Sequence, residues 1–164
     1  MESLLFWTFA VITLAGGVGV VVARNPVNGA MALVGSFFAL AGLFLLLDAQ
    51  LIAALQVLVY AGAIMVLFLF VIMLLNLGPR DLGPPRFGVG KGVGVLAVAA
   101  TVGFLVKVVL PVGRAASSPV NPSFGTVASV GRLLYTQYLL PFEVVSLLLL
   151  TAIVAAVVVA KGRI

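Results

Sequence analysis

Five stretches of the chain run for the length of a bilayer crossing with at most one ionisable side chain each: residues 4–23, 30–47, 51–75, 93–110 and 139–160. A hydrocarbon core of roughly 30 Å takes about 20 apolar residues when crossed by a helix, so each stretch qualifies. The chain as a whole supplies little polar surface: 8% of residues are charged and 64% hydrophobic, whereas a soluble domain carries about a quarter charged residues. A water-borne globule and a disordered chain are both excluded. Transmembrane β-strands alternate apolar and polar side chains; runs such as 65–75 do not alternate. Helices also pair their backbone groups within the segment, as lipid demands. The expected fold is all-α: a polytopic membrane protein forming one membrane domain over residues 1–164, with five transmembrane helices.

The first span is expected to stay in the mature protein, because it opens on Glu2 rather than on the basic region of a signal peptide. Basic residues flanking the spans set orientation. Arg24, Arg80, Arg86, Lys91, Lys161 and Arg163 fall on one side, and Lys107, Arg114 and Arg132 on the other. The richer side is assigned to the cytoplasm, with the N-terminus outside and the C-terminus inside. The connections at 24–29 and 48–50 are short, and 78–92 is rich in glycine and proline. The connection at 111–138 is long. In its second half Val127, Val130, Leu134 and Tyr138 fall at helical spacing opposite Ser129, Arg132 and Thr136, which predicts a short amphipathic helix on the outer surface before the fifth span.

Chemistry of the chain's own is hard to build. There is no cysteine and no histidine, and the only acids are Glu2, Asp48, Asp81 and Glu143. No thiolate, iron–sulfur or zinc site can be assembled, and the commonest general base is missing. No catalytic, cofactor-binding or metal-binding residue is therefore assigned. The net charge is +5, but the basic residues are scattered, so nucleic acid is not an expected partner. Residues 92–97 (GVGVLA) fit the loose dinucleotide-binding pattern without the strand that the pattern requires. Asn121-Pro122-Ser123 is no glycosylation acceptor, because proline occupies its middle position.

The third span carries most of the information. Its 25 residues would reach about 37 Å as a straight α-helix, longer than the bilayer core. Tilt or a locally wider turn absorbs such an excess. Gln56 and Tyr60 sit one α-helical turn apart, and Ala61-Gly62-Ala63 follow. Two readings stand side by side. In one, the span is a packing helix whose polar side chains bond to neighbours. In the other, it is a helix with a deformable middle, softened by glycine and able to form a π-bulge beside a phenol, so that rotation of its lower half opens or closes a hydrated path.

Three ionisable residues lie in or near spans. Glu143 is a functional candidate by its depth. It equally suits a helix start, with Pro141 in the first turn and a carboxylate near the positive end of the dipole. Asp48 falls in the turn between the second and third spans, and Lys107 can snorkel to the interface. No relay of intramembrane charges and no inverted repeat is present, as a self-sufficient pump or transporter would need. The chain reads as one part of a larger assembly, with glycine-rich faces (Gly16, Gly17 and Gly19; Gly35 and Gly42) suited to partner helices.

Residues 59–76 (VYAGAIMVLFLFVIMLLN) resemble the signature span of the J-subunit family of NADH–quinone oxidoreductase, respiratory complex I. Residues 24–27 (RNPV) are similar to that family's first connection, and 131–135 (GRLLY) with 138–143 (YLLPFE) to the start of its last helix. Where the family often places a glutamate near the second turn, this chain has Asp48. The resemblance implies a non-redox subunit in the membrane arm of a proton-translocating enzyme. Its expected partners are the quinone-site subunit, the small A and K subunits, the antiporter-like subunits and the lipid of the cytoplasmic membrane. It implies no cofactor in this chain, while the whole complex uses NADH, FMN, iron–sulfur clusters and a quinone. It further implies a third helix that switches between bulged and regular forms. Tyr60, Gly62, Ala63 and Val66 match the switching segment, and Gln56 lies one turn before it. A subunit of a multisubunit cation/proton antiporter and a purely structural scaffold are the alternative readings of the residues.

Overall fold

The computed structural model describes residues 1–75, 89–112 and 124–161, and all regular structure among them is helical. Helix α1 spans Glu2–Val22 and α2 spans Pro26–Leu46. The third span is a composite of α3 (Gln50–Leu55), a π-helical segment (Gln56–Ile64) and α4 (Met65–Leu74). Then come α5 (Val89–Val112), the short α6 (Val127–Thr136) and α7 (Leu139–Ala160). Four of these spans, at Glu2–Val22, Pro26–Leu46, Gln50–Leu74 and Leu139–Ala160, are long and apolar enough to cross a membrane; α5 contains the shorter apolar stretch Leu96–Val108. The connection at 78–92 below Val89, the first half of that at 111–138, and Arg80, Asp81, Arg86, Arg114 and Arg163 lie outside the described residues.

Local chemistry explains the helix ends. Helix α2 begins four residues before the apolar run because Asn25 caps it: its side-chain oxygen accepts from the Val27 amide at 2.9 Å, and Pro26 occupies the first helical position. At its other end Asp48 takes the left-handed conformation, with φ of 57°. The Ala49 amide donates to the Phe44 carbonyl at 3.0 Å and the Asp48 amide to Leu45 at 3.1 Å. This is a Schellman turn with aspartate where glycine is usual, and it folds α3 back beside α2. Thr126 caps α6 by accepting from the Ser129 amide at 3.3 Å. Helix α6 ends at Thr136, so Tyr138 belongs to the cap of α7 and not to the amphipathic face where its spacing placed it.

Helices α1, α2 and the third span pack side by side, with α2 in the middle. Small residues bring α1 against α2. A Cβ on Gly16 would lie 2.8 Å from the Ser36 Cβ, one on Gly19 3.2 Å from the Ala32 Cβ, and one on Gly42 2.9 Å from the Phe9 ring. The Ser36 hydroxyl donates to the Thr13 carbonyl across this seam at 2.9 Å. Three of the glycines expected to receive partner subunits are thus spent inside the chain, whereas Gly17 and Gly35 face open space. On its other side α2 presents Ala30, Leu33, Val34 and Phe37 to Met65, Leu69 and Ile72. Among the described residues α5 packs on no other helix, and α7 touches only α6, where Tyr135 meets Phe142 edge-on at 5.1 Å.

Candidate functional site: the wide turn of the third span

From Gln56 to Ile64 the backbone follows the i→i−5 pattern, and the Met65 amide still donates to the Tyr60 carbonyl before α-helical register resumes. The consequence is visible in which side chains are buried. Along the third span the buried residues are Ala53, Gln56, Ala61, Met65 and Ile72. An α-helix repeats its buried stripe every three or four residues; the step from Gln56 to Ala61 is five. One extra residue has been taken into the turn.

This overturns the α-helical spacing that placed Gln56 and Tyr60 on one face. Gln56 is 6% exposed and Ala61 4%, while Tyr60 is 49% exposed. The Tyr60 ring lies just off the stripe, its edge against Phe37 of α2 with centroids 5.9 Å apart at 74°, within the range of a favourable aromatic pair. Gly62 is on the outer side of the wide turn. A Cβ there would come within 3.2 Å of the Val57 carbonyl oxygen, five residues back. Glycine therefore fits the wide turn more easily than any residue bearing a Cβ. Ala63 and Val66 are exposed to whatever surrounds the chain.

The other candidates are not gathered here. Asp48 forms the hairpin turn before α3, exposed and committed to its left-handed geometry. Glu143 lies in the second turn of α7, where its carbonyl accepts from the Ser146 hydroxyl at 2.7 Å. Pro141 sits in the first turn, as the helix-start reading requires. Phe37 and Ser36 were not singled out from sequence. Only their packing partners give them roles, and those partners are more than 20 residues away.

The architecture is that of a multi-pass helical membrane protein whose irregular third span holds the one buried amide side chain among the described residues. Residues 16–159 match the family NADH-ubiquinone/plastoquinone oxidoreductase chain 6, and the chain belongs to that family. It is 38% identical to NADH-quinone oxidoreductase subunit J of Pseudomonas aeruginosa, with 95% of this chain and 94% of that protein covered. It is 38% identical to NAD(P)H-quinone oxidoreductase chain 6 of Leptolyngbya boryana, covering 98% of this chain and 80% of that protein. It is 33% identical to F(420)H(2) dehydrogenase subunit J of Methanosarcina mazei, covering 99% and 93%.

Proposed function

We propose that the chain is the coupling subunit of a proton-translocating quinone oxidoreductase, and that the wide turn at Gln56–Ile64 is its moving part. The observation that carries this reading is the five-residue step in the buried stripe between Gln56 and Ala61. A π segment converts to α-helix by shifting its hydrogen-bond register one residue. The Met65 amide then passes from the Tyr60 carbonyl to that of Ala61, and everything beyond turns by about 100°, the rotation per residue of an α-helix. In the regular register Tyr60 takes the place of Ala61 against α2, and Ile64 that of Met65. A half-exposed phenol swings into the helix seam and the hydrated flank closes; the reverse motion opens it.

The names of the relatives support a role away from the electron donor. They name F(420)H(2), NADH and NAD(P)H in turn, while subunits of this kind align over nearly the whole of this chain. A subunit common to enzymes with different donors acts on what they share, the membrane side of the reaction. This chain has no cysteine and no histidine, so its residues do not fit an iron–sulfur cluster. In this reading those groups and the NADH site belong to other subunits. Among the described residues α5 packs on no other helix and α7 only on the short α6; in this reading their open faces meet the quinone-site subunit, the small A and K subunits and the antiporter-like subunits. The reading keeps five spans with the N-terminus outside, in the cytoplasmic membrane, with α5 as the fourth crossing.

The experiment is quinone reduction and proton export in membrane vesicles carrying Tyr60→Phe or Gly62→Leu. Both are expected to lower coupled turnover with the complex assembled. Unchanged turnover and unchanged protons per electron in both would defeat the gating role.

A further inference from the structure

The start of the third span has an unusual closure. The first amides of a helix lack acceptors within it, and a side chain at the cap normally supplies one. The capping residue here is Ala49, which has nothing to offer. Instead the Leu51 amide donates to the carbonyl of Gly125 at 3.1 Å, across more than 70 residues of sequence. Gly125 sits at φ +70°, a conformation that glycine adopts without strain. A Cβ on it would collide with the Asp48 carbonyl oxygen and come within 2.9 Å of the Ala49 Cα. Two left-handed residues, Asp48 and Gly125, thus meet backbone to backbone. Thr126 then starts α6, which leads through the Tyr135–Phe142 contact into α7. The contact also puts the 48–50 turn and the start of α6 at one end of the molecule.

We infer that Gly125 is a positioning residue for the third span: its carbonyl clamps the start of α3 so that a register change in the wide turn rotates α4 and not α3. This rests on the proposed gating by Gln56–Ile64. A helix that gains or loses a residue in its middle must turn one half against the other. The half that moves is the one held less firmly. Helix α3 is only six residues long, too short to resist on its own. It packs on α2 through the buried Ala53, and its start is fixed by the Schellman turn on one side and by Gly125 on the other. With Gly125 in place the rotation passes into Met65–Leu74; with it released, α3 turns idly and the lower half stays still.

The test uses the intact complex in its native membrane. In Gly125→Ala the left-handed strain and the collision with Asp48 open the clamp. The expected result is that electron input to a hydrophilic acceptor per assembled complex is unchanged, while quinone turnover and proton export per complex fall at least fivefold. A structural role alone would reduce the amount of complex and leave its per-complex pumping intact, and that result overturns the inference. A second arm guards against failed assembly. The chain has no cysteine of its own, so Ala49→Cys with Thr126→Cys places one thiol on each side of the clamp, to be joined by a short bis-thiol reagent and scored by gel mobility. High cross-linking yield with retained quinone turnover and pumping supports a clamp that stays shut. Poor yield, or turnover abolished by the link, overturns it. If Gly62→Leu uncouples the complex and Gly125→Ala does not, the clamp alone fails; if neither does, the gating reading fails with it.

Discussion

Replacing Gly62 by alanine adds one methyl group to the outer side of the wide turn. That group lies 3.2 Å from the Val57 carbonyl oxygen, inside the 3.5–4.0 Å at which such atoms attract. The carbonyl must move by a few tenths of an ångström, and it belongs to the backbone of the π segment itself. Crowding of this kind costs about 1 kcal/mol, the low end of overpacking penalties. In the regular register Val57 no longer faces residue 62 across the widened loop, so the penalty falls on the wide form alone. A bias of about 1 kcal/mol shifts the ratio of wide to regular forms about fivefold. If every turnover passes through the wide form, coupled quinone reduction falls by up to that factor. The assay is inverted vesicles containing a measured amount of assembled complex. Electron transfer to a hydrophilic acceptor, quinone reduction and proton uptake are followed together, and only the first is expected to hold. Gly62→Ala vesicles that reduce quinone and pump at the original rate would refute the reasoning, since the methyl group has nowhere else to go.

Gly16→Leu drives a side chain into the backbone of α2, where even its Cβ would lie 3.0 Å from the Ala32 carbonyl oxygen. The amount of assembled complex on native gels should drop severalfold, with normal activity in what remains. Asp48→Gly keeps the left-handed turn and removes the strain of a Cβ there, of the order of 1 kcal/mol, so the complex should melt no lower and pump normally. Asp48→Val should lower the melting temperature. Glu143→Gln keeps the start of α7, because the Ser146 hydroxyl bonds to the main-chain oxygen. Assembly should be unchanged, and a selective loss of proton export would move this carboxylate from helix start to proton path.

Much of this architecture is legible in the residues. Long apolar runs with at most one charge each locate the helices, because lipid penalises ionised side chains. The bounds of α7 coincide with the run at 139–160, with Tyr138 and Lys161 as its caps. For α2 the apolar run alone places the start too late. The structure starts it earlier, with Asn25 as its cap and Pro26 as its first residue. The third span shows what a single chain withholds. Its excess length and its glycine point to a softened middle, but the choice between tilt and a wide turn rests on tertiary contacts. The pairing of Gln56 with Tyr60 assumed 3.6 residues per turn, and the structure departs from that value between them. Gly125 carries no local signal at all. Its partner is a backbone amide on another helix, and nothing in the neighbouring Phe124 or Thr126 points toward it.

The bareness of α5 and α7 bears on the life of the protein in the cell. Among the described residues α5 has no packed helix beside it and α7 only the short α6, so in the proposed complex both are covered only when neighbouring gene products arrive. Until then they present themselves to the proteases that survey membranes for stray subunits. If the chain is such a subunit, overproducing it alone should yield rapid turnover and no stockpile.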